Sequence, residues 1–478
     1  MPVVATRAQP LCVDLDGTLI RSDTLVESAL ALLKRAPWML FAMVMWLLGG
    51  KARLKAAIAA RQPLDASRLP YRAELVQWLR EQAAHRPVYL ATAAHRSIAD
   101  DVARHLAFFT GVFSTDRVNL SSGNKAQALA AAFGDKGFDY IGNDHADIPV
   151  WRQSAGILVV GASAAVSRAA RRLGPVLAEF DGAPSLGQRL RLWVKALRLY
   201  QWVKNLLVLV APVAGHVLGL ADTWEHIAVA FLSFGLAASA IYLLNDLLDL
   251  EVDRAHPRKR NRPFAAGTLP VMHGLLVSPV LLAAAFALGT TLGGKFILVL
   301  VSYVAVTTLY SGWIKQKLFF DVAALAWLYT VRVVAGAVAV GLPLSSWLLS
   351  VSGYGFLCLA LVKRFAELAS MERENKDTAA GRAYRVQDMP VVMALGCAAG
   401  LVASLVMALY VDSTASHVRY SHPIFLWALS PLLMIGMGRL WLIAGRGHMH
   451  DDPIVFVVKD KASLALAALA GLCIWAAI

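Results

Sequence analysis

Acidic residues in two short stretches have types and spacings that suit chemistry on phosphate groups. The first stretch is LCVDLDGTL, in which Asp14 and Asp16 follow an apolar run and precede Gly17 and Thr18. The second is NDLLDLEVD at 245–253, which follows a much longer apolar run. Charge at the end of a hydrophobic span is unfavourable in hydrocarbon, so acids at such a boundary indicate a function.

The second stretch has the register of a metal site. As a helix, it places Asn245, Asp249 and Asp253 at i, i+4 and i+8, within roughly one quarter of the helix circumference, with Asp246 beside them. Because neighbouring carboxylates repel one another, such a stripe predicts a bound cation, and these oxygen ligands favour Mg²⁺ that bridges to substrate phosphates. The alternative is a loop anchored at lipid headgroups, which explains the nearby cations but not the registered acids.

Cations accompany these acids on the same predicted side of the membrane. We predict that they contact phosphate oxygens through charge-assisted hydrogen bonds. The candidates are Lys204, Lys259, Arg262, Lys315, Lys317, Lys363 and Arg364. Acids and cations together therefore predict a Mg²⁺–diphosphate site.

The first stretch belongs to a set of strand ends. The short runs LCVDL, VYLAT, FDYIG and GILVVG alternate with helical stretches, a pattern typical of a parallel α/β sheet. Ligands bind beyond the carboxyl ends of the strands in such a sheet. Besides the two aspartates, the polar candidates at these strand ends are Thr92, Lys125, Asn143, Asp144 and Asp147.

The composition changes sharply near residue 190. The chain has 478 residues, of which 58% are hydrophobic and 16% charged, and this is too apolar for an ordinary soluble protein. The predicted fold class is a Rossmann-like α/β domain followed by an all-α polytopic membrane domain. The expected boundaries are 1–180 for the α/β domain, 181–192 for a linker and 193–478 for the membrane domain.

Long apolar segments after this point predict about nine membrane spans, since ~20 apolar residues cross a bilayer as a helix. They lie at about 203–220, 224–245, 270–290, 296–311, 319–340, 346–362, 390–410, 423–444 and 461–478. An earlier apolar run at 36–48 is shorter and is flanked by basic residues. It predicts either a helix that lies on an anionic membrane surface or a buried core helix of the first domain.

Loop charges orient the membrane domain. Basic residues concentrate in the loops on the side of the α/β domain, whereas the opposite loops carry only Lys295 and Arg419. The positive-inside rule therefore predicts a bacterial-type inner membrane protein with the α/β domain and both sites in the cytoplasm. An odd number of spans would leave the C-terminus outside. Because the net charge of +14 resides mostly in loops, nucleic acid is not an expected partner.

The four cysteines show no metal or disulfide spacing, which favours a reducing compartment.

The order of motifs over roughly residues 8–170 resembles the haloacid dehalogenase (HAD) phosphohydrolase superfamily. The resemblance implies that Asp14 attacks phosphorus and Asp16 protonates the leaving oxygen, while Thr92 and Lys125 hold phosphoryl oxygens. It also implies Mg²⁺. The candidate ligands are Asp14, Asp16, Asn143, Asp144 and Asp147. In GNDHAD, Asn143 stands where the family usually has an acid, and an inactive domain that only regulates or scaffolds is the alternative.

Over roughly residues 190–478 the chain resembles the UbiA superfamily of intramembrane prenyltransferases, whose first aspartate-rich motif is similar to NDLLDLEVD. Further phrases are similar to one branch, the decaprenyl-phosphate phosphoribosyltransferases. They are YQWVKNLLVLVAP, DRAHPRKRNRPFAAG, LYSGWIKQKLFFDV, RVVAGAVAVGLPLSSWLL, VKRFAEL and DDPIVFVVKDK. Ordinary UbiA prenyltransferases carry a second aspartate-rich cluster, where this chain has only Asp321, and this departure weakens a prenyl-diphosphate assignment.

This resemblance implies transfer of 5-phosphoribose from phosphoribosyl pyrophosphate to a polyprenyl (decaprenyl-type) phosphate, with Asp249 as a catalytic, metal-binding acid. The HAD domain is then expected to remove the 5-phosphate and give polyprenyl-phosphoryl ribose for envelope glycans. Glu367, Asp452 and Asp460 are candidates to bind ribose hydroxyls or a second metal, and helix capping is an equal alternative for Asp452.

Two other functions stay open. One is an aromatic prenyltransferase that uses a prenyl diphosphate at the same Mg²⁺ site. The other is a membrane scaffold or transporter with an inactive HAD domain. The sequence is compatible with an oligomer and does not define the length of the lipid.

Overall fold

The structure, a computed structural model, describes residues 9–180, 182, 184–375, 383–449 and 452–478. The chain divides into two compact units. The first contains the residues up to Leu197 together with Tyr242–Ser278, and the second contains Arg198–Ile241 and Pro279–Ile478.

The first unit contains a six-stranded sheet in the order β3-β2-β1-β4-β5-β6, with all neighbouring strands parallel. Strands β1 to β6 are Leu11–Val13, Val88–His95, Gly111–Thr115, Asp139–Gly142, Gly156–Val160 and Val176–Phe180. The predicted α/β class is confirmed, and the four predicted runs form β1, β2, β4 and β5.

Both faces of this sheet are covered. Along β1, Leu11 and Val13 belong to one apolar cluster with Leu90, whereas Cys12 belongs to a cluster on the other face with Tyr140. Side chains alternate between the two faces of a strand, so a strand buried on both sides is apolar throughout. This explains why the central strands were visible as short continuous apolar runs.

Nine α-helices accompany the sheet in the part of the chain that the structure describes. Helices α1 to α9 are Thr24–Arg35, Met39–Leu48, Lys51–Ala59, Ala73–Ala83, Arg96–Leu106, Gly123–Phe133, Ile148–Gln153, Ala164–Leu173 and Leu186–Ala196. Helix α9 occupies the second half of the expected linker, and Asp181 and Ala183 lie outside the described residues.

The apolar run at 36–48 forms α2, and none of the residues of α2 is buried. The expectation of a buried core helix is therefore wrong. Met39, Met43 and Trp46 pack against Leu32 and Leu54, and the other side chains face away from this small cluster.

The remaining helices follow the 3₁₀ helix Leu199–Leu209. Helices α10 to α21 are Val210–Ala214, Ala221–Leu248, Leu250–Ala255, Val271–Thr290, Gly294–Gly312, Phe320–Ala339, Ser346–Arg373, Met389–Asp412, Thr414–Arg419, Leu429–Gly445, Pro453–Lys459 and Lys461–Ala477.

Within the described parts of the chain, seven helical segments are long and apolar enough to cross a membrane. They are Ala221–Leu248, Val271–Thr290, Gly294–Gly312, Phe320–Ala339, Ser346–Arg373, Val386–Asp412 and Pro423–Gly445. The other two predicted spans correspond to the shorter apolar helices Leu199–Ala214 and Lys461–Ala477. The chain is a multi-pass membrane protein, and the count of nine stays a prediction.

Helix α15 is the most deeply buried of these spans. Gly336 permits this, because a Cβ atom there would lie 1.9 Å from the carbonyl oxygen of Val208. Small residues let membrane helices approach closely. The 3₁₀ helix Leu199–Leu209, which carries Lys204, is thereby packed directly on α15, which carries Tyr329 and Arg332.

Candidate functional sites

The first candidate site lies at the carboxyl end of the parallel sheet. Asp14 follows β1, and the Nζ atom of Lys125 from α6 donates to its Oδ1 at 2.7 Å. The same Nζ donates to the Tyr140 hydroxyl at 2.8 Å, and that hydroxyl donates to Asp147 Oδ1 at 2.8 Å. Lys125 is only 4% exposed. The fold thus joins three predicted residues, Asp14, Lys125 and Asp147, through Tyr140, which the sequence reasoning missed.

Burial raises the pKa of both aspartates of LCVDLDGTL. It raises the pKa of Asp14 to about 6, although the Lys125 ammonium acts to lower it. Burial and the charges of Asp23 and Asp14 raise the pKa of Asp16 to about 7, and the backbone N–H of Thr24 donates to Asp16 Oδ1 at 2.8 Å. An acid that keeps its proton near neutral pH suits the general-acid role expected of Asp16.

Lys125 is a fixed cation. Burial alone would lower its pKa, but the carboxylates of Asp14 and Asp147 raise the pKa above its ordinary value. A permanently charged ammonium beside the nucleophile suits the predicted role of holding phosphoryl oxygens.

The loop after β4 brings Asn143 to the first motif. Thr18 Oγ1 donates to Asn143 Oδ1 at 3.1 Å. Gly17 makes this approach possible, since its φ is +76° and a Cβ atom would lie 2.3 Å from Asn143 Nδ2. Asp147 Oδ2 accepts from the backbone N–H groups of Asn143 at 2.9 Å and of Asp144 at 3.1 Å.

These contacts separate the predicted metal ligands by their surroundings. Asp147 shapes the loop with both of its oxygens, and Asp144 Oδ1 accepts from the His145 N–H at 2.6 Å as a helix cap. Asp14, Asp16 and Asn143 offer oxygen donors at the strand ends, and this all-oxygen donor set fits Mg²⁺. The assignment of all five residues as ligands stays a prediction.

Thr92 and Lys55 lie close to the end of β2, and of these two Lys55 lines the cavity that contains Asp14 and Asp16, whereas Thr92 does not. Thr92 is fully buried, and its Oγ1 accepts from the Ala94 N–H at 2.9 Å. Lys55 of α3 donates to the carbonyl oxygen of Ala93 at 2.6 Å and to Asn119 Oδ1 at 2.7 Å. Burial lowers the pKa of Lys55 despite the charges of Asp16 and Asp23. Sequence reasoning missed Lys55, because nothing in its local pattern distinguishes it from a surface lysine.

The second candidate site is NDLLDLEVD, which also belongs to the first unit. Its residues do not form one unbroken helix, because α11 ends at Leu248 and α12 begins at Leu250. The backbone bonds nevertheless keep the i+4 spacing: the Asp249 N–H donates to the Asn245 carbonyl at 3.0 Å and the Asp253 N–H to the Asp249 carbonyl at 2.8 Å.

Protein cations hold three of these four predicted ligands. Arg262 Nη1 donates to Asp246 Oδ1 at 3.0 Å and to Asp253 Oδ2 at 2.6 Å, and both aspartates are buried. Lys34 Nζ of α1 donates to Asp249 Oδ1 at 2.6 Å. One guanidinium nitrogen thus lies within hydrogen-bond distance of two carboxylates, which marks a position suited to a cation.

No cluster of three or more Asp, Glu, His or Cys side chains suited to a metal is present in the described ranges. The oxygen donors of Asp246 and Asp253 fit Mg²⁺ by their chemistry. The predicted set Asn245, Asp246, Asp249 and Asp253 therefore stays a prediction.

The other predicted phosphate ligands are dispersed. Lys259 is exposed in the 3₁₀ helix Lys259–Asn261. In the second unit, Lys315 lies in the 3₁₀ helix Ile314–Gln316, and the Lys317 ammonium lies 5.1 Å from the centroid of the Trp313 ring.

A third cluster, in the second unit, centres on Asp452. Its Oδ2 accepts from Lys204 Nζ at 2.9 Å, from Lys363 Nζ at 3.1 Å and from the Tyr329 hydroxyl at 2.9 Å. Burial would raise the pKa of Asp452, but the ammonium groups of Lys363 and Lys204 lower it below its ordinary value. Asp452 also caps α20 through the Ile454 N–H at 3.3 Å. The capping alternative is confirmed, and the same carboxylate joins two predicted cations.

Asp321 is held in a separate buried group. It pairs with Arg364, which also pairs with Glu367, and the Tyr384 hydroxyl donates to Asp321 Oδ1 at 3.0 Å. Asp321 is fully buried and Arg364 is 1% exposed. Arg364 is therefore engaged by acids, and Asp321 is engaged by a guanidinium and a phenol.

The sequence did not predict the contacts of Arg332, nor the contacts of Asp460, which stays a candidate to bind ribose hydroxyls or a second metal. Arg332, which is buried, donates to Asn205 Oδ1 at 3.0 Å and to the Tyr303 hydroxyl at 3.2 Å. Asp460 caps α21 through the Ser463 N–H at 2.8 Å and pairs with Arg439 at 2.5 Å. The position of Asp460 thus has a structural explanation.

The described helices are those of a multi-pass membrane protein, and they follow a parallel α/β domain. The UbiA prenyltransferase family matches residues 206–475, and the chain belongs to this family.

Two relatives share sequence with this chain. The uncharacterized protein y4nM of Sinorhizobium fredii is 37% identical over 470 residues, which cover 97% of this chain and 90% of that protein. The decaprenyl-phosphate phosphoribosyltransferase of Mycolicibacterium smegmatis is 41% identical over 184 residues, which cover 38% of this chain and 58% of that enzyme.

Solved structures resemble both parts of the chain. A UbiA homolog from Archaeoglobus fulgidus bound to GPP and Mg²⁺ has a TM-score of 0.47 at 16% identity, covering 60% of this chain and 99% of that one. A HAD family hydrolase, t0658 from Salmonella enterica serovar Typhi, has a TM-score of 0.26 at 16% identity, covering 36% of this chain and 68% of that one.

Proposed function

We propose that the membrane domain transfers 5-phosphoribose from phosphoribosyl pyrophosphate to a polyprenyl phosphate. The HAD-like domain then removes the 5-phosphate and leaves polyprenyl-phosphoryl ribose, a lipid-linked sugar donor for envelope glycans. The likeness to an enzyme named decaprenyl-phosphate phosphoribosyltransferase supports the first step. The motif order of the first domain supports the second.

The choice of phosphoribosyl pyrophosphate as the donor, rather than a prenyl diphosphate, rests on the environment of Asp321. A prenyl-diphosphate transferase of this family is expected to offer a second cluster of acids for metal. Here the acid of that segment is fully buried and already bound by Arg364 and Tyr384. The chain offers cations instead, since Lys204 and Lys363 converge on Asp452.

In the transfer step, acidic side chains of this chain would bind the metal and basic side chains would bind the phosphate groups. Asp246, Asp249 and Asp253 would hold the metal together with Asn245, and Arg262, already between two of the carboxylates, would keep them oriented. Lys204 and Lys363 would each contact a phosphate oxygen, and Tyr329 and Asp452 fix their positions. An oxygen of the acceptor phosphate would form the new bond to the anomeric carbon while the C–O bond to the diphosphate breaks and pyrophosphate leaves. A phosphate monoester acceptor is already anionic near neutral pH, so no strong general base is required.

In the phosphatase step, Asp14 attacks phosphorus and the ester P–O bond breaks, while Asp16 gives its proton to the leaving oxygen. Water then attacks the aspartyl-phosphate and releases orthophosphate, which regenerates Asp14. Lys125 and Thr92 hold the phosphoryl oxygens throughout. At both sites Mg²⁺, when bound, supplies neutralisation of phosphate charge. From the basic loops we infer that both sites face the cytoplasm at an inner membrane.

The test is a mass-spectrometric lipid assay on purified protein in nanodiscs with phosphoribosyl pyrophosphate, polyprenyl phosphate and Mg²⁺. Wild-type protein should yield polyprenyl-phosphoryl ribose. The Asp14→Asn variant should accumulate the 5-phosphorylated lipid, and Asp249→Asn should yield neither product. Glu251→Gln, which removes a neighbouring acid of α12 outside the predicted ligand set, is the matched control and should behave as wild type.

A panel of alternative donors and acceptors tests the proposal. Consumption of a prenyl diphosphate with an aromatic acceptor, and no use of phosphoribosyl pyrophosphate, would establish the aromatic prenyltransferase instead. Full dephosphorylation of the lipid by the Asp14→Asn protein would refute the coupling of the two steps.

A further inference from the structure

We propose that the HAD-like site acts on phosphate carried by a membrane lipid, and that α2 is the element that seats this site at the bilayer surface. This inference rests on the proposed function, which already gives the phosphatase site a lipid-linked substrate, and deepens it by naming α2 as the element that brings this site to the lipid.

Helix α2 presents a large apolar surface to its surroundings. Its sequence is MLFAMVMWLL, in which every residue is apolar, yet none of these residues is buried. Phe41 is 77% exposed, Met45 64% and Leu48 78%, and Trp38, just before the helix, is 68% exposed. Contiguous exposed apolar surface of this kind is rare on soluble monomers and marks an interaction site.

The flanking charges identify a membrane as the occupant. Lys34 and Arg35 precede α2, and Lys51 and Arg53 follow it. A short apolar helix with cations at both ends binds at the interface of an anionic bilayer, with its apolar side chains among the acyl chains. With only ten residues, α2 is too short to cross the bilayer.

The position of α2 within the first unit agrees with a membrane location. Helix α1 ends at Arg35, and three residues separate it from α2. Glu27 of α1 forms a bidentate ion pair with Arg254 at 2.6 and 2.7 Å, and Lys34 pairs with Asp249 at 2.6 Å. Arg254 and Asp249 belong to the segment between spans α11 and α13, which must lie at a membrane boundary. Helix α1 therefore holds α2 at that boundary.

One cavity of the first unit is lined both by α2 and by the two aspartates of LCVDLDGTL. The cavity has a volume of about 1420 Å³, and its lining includes Asp14 and Asp16, Leu47 of α2, and residues 267–273 just before and within α13. Pockets for drug-sized ligands are usually about 300–1,000 Å³, so this one exceeds what a small soluble phosphate needs. It has room for the sugar-phosphate head of a lipid whose tail remains in the bilayer.

The experiment compares three phosphomonoesters with full-length protein in vesicles of phosphatidylcholine and phosphatidylglycerol. They are polyprenyl-phosphoryl 5-phosphoribose, phosphatidic acid, and water-soluble ribose 5-phosphate. The double variant Phe41→Asp, Leu48→Asp removes two exposed apolar contacts. It should lower lipid hydrolysis about tenfold or more and leave ribose 5-phosphate hydrolysis within about twofold of wild type.

Val118→Asp is the matched control, since Val118 is 65% exposed in the same unit and does not line the cavity. It should change neither activity. Equal loss on lipid and soluble substrates in the double variant would overturn the inference, and so would unchanged lipid hydrolysis. If wild type cleaves phosphatidic acid with the same dependence on α2 but not the phosphoribosyl lipid, the proposed function fails and the inference stands.

A second readout does not depend on activity. An environment-sensitive fluorophore on Val44→Cys, with Cys397 and Cys473 changed to alanine, should shift its emission to the blue in vesicles and be quenched by lipid-borne spin labels. The same fluorophore on Val118→Cys should do neither. A water-exposed signal at residue 44 would overturn the membrane assignment of α2.

Discussion

At the scale of single residues, the buried chain Asp14–Lys125–Tyr140–Asp147 determines how the HAD-like site can work. Lys125 lies between two carboxylates, at 2.7 Å from Asp14 Oδ1 and 3.8 Å from Asp147 Oδ1. Without its ammonium, the two acids would face each other in a buried site. We therefore expect Lys125 to serve stability as well as the proposed phosphate binding.

The first prediction concerns this lysine. Lys125→Met should lower the free energy of unfolding by about 3–5 kcal/mol, because it leaves buried carboxylates without their cation. Phosphatase activity should be lost as well. Thermal unfolding of the purified protein and hydrolysis of ribose 5-phosphate measure the two effects.

Arg104→Met is the control for that prediction. Its ion pair with Asp101 at 2.8 Å is solvent-exposed, with 76% of the arginine side chain accessible. Exposed pairs contribute little to stability, so this change should leave the unfolding temperature nearly unchanged. A similar small effect for Lys125→Met would contradict the structural role of Lys125.

The second prediction concerns Asp249. Asp249→Asn keeps the size of the side chain but removes a negative charge. The affinity of the site for the metal and its affinity for the diphosphate should therefore both fall. Turnover of the transferase should fall about 10²-fold or more, as expected when charge stabilisation in the transition state is lost. Lys259→Met, at an exposed outer position, should mainly raise the KM for phosphoribosyl pyrophosphate.

Kinetics as a function of Mg²⁺ concentration measure these effects. Excess Mg²⁺ should restore Asp249→Asn only in part. Wild-type turnover of that variant at limiting Mg²⁺ would show that the acids form a headgroup anchor and not a metal site.

Sequence alone located the residues of the HAD-like site that follow strands, because strand order in a parallel sheet determines which ends meet. It missed Tyr140, since a tyrosine inside the run FDYIG looks like part of an apolar strand. It also missed the partners of Asp452, because Lys204 is 248 residues away along the chain and Lys363 is 89. Contacts at that separation depend on helix packing, which local patterns do not encode.

At the scale of elements, the four strands predicted from sequence are the interior strands β2, β1, β4 and β5, whereas the two missed strands, β3 and β6, are the edges. An interior strand is buried on both faces and forms a continuous apolar run. The edge strands GVFST and VLAEF are only partly buried and mix polar with apolar residues. Their signal is correspondingly weak. The break at Asp249 was missed because the apolar and acidic periodicity continues across it.

The third prediction concerns how α1 is attached. Glu27 and Arg254 form a buried bidentate pair, with side-chain exposures of 3% and 7%. Glu27→Gln or Arg254→Gln alone leaves one uncompensated buried charge and should destabilise the first unit by about 3–5 kcal/mol. The double variant should cost less than the sum of the two single changes, because neither charge is then left alone.

Thermal unfolding of the four proteins in a double-mutant cycle measures this coupling. Additive effects of the two substitutions would mean that the pair does not fasten α1 to the segment between α11 and α13. The phosphatase activity on a lipid substrate should follow the same order, since α1 holds α2 in place.

At the scale of the whole molecule, the proposed function gives one chain two sites whose substrates share a lipid tail. The intermediate between the two proposed reactions is amphipathic, and its tail stays in the bilayer. Such a molecule diffuses laterally between proteins of the same membrane but transfers poorly through water, because its long apolar tail would be exposed. We therefore expect that fusion of the domains keeps the lipid intermediate close to the phosphatase site. The two activities should still be separable.

The last prediction tests this separability by mixing two inactive proteins. On the proposed function, the Asp14→Asn protein makes the 5-phosphorylated lipid without cleaving it, whereas the Asp249→Asn protein makes very little of it and retains the phosphatase site. Reconstituted together in the same vesicles with phosphoribosyl pyrophosphate, polyprenyl phosphate and Mg²⁺, they should yield polyprenyl-phosphoryl ribose. Reconstituted in separate vesicles that are then combined, they should accumulate the intermediate. Failure in shared vesicles would mean that the intermediate passes only within one chain, and equal success in separate vesicles would mean that the phosphatase acts on a soluble phosphate.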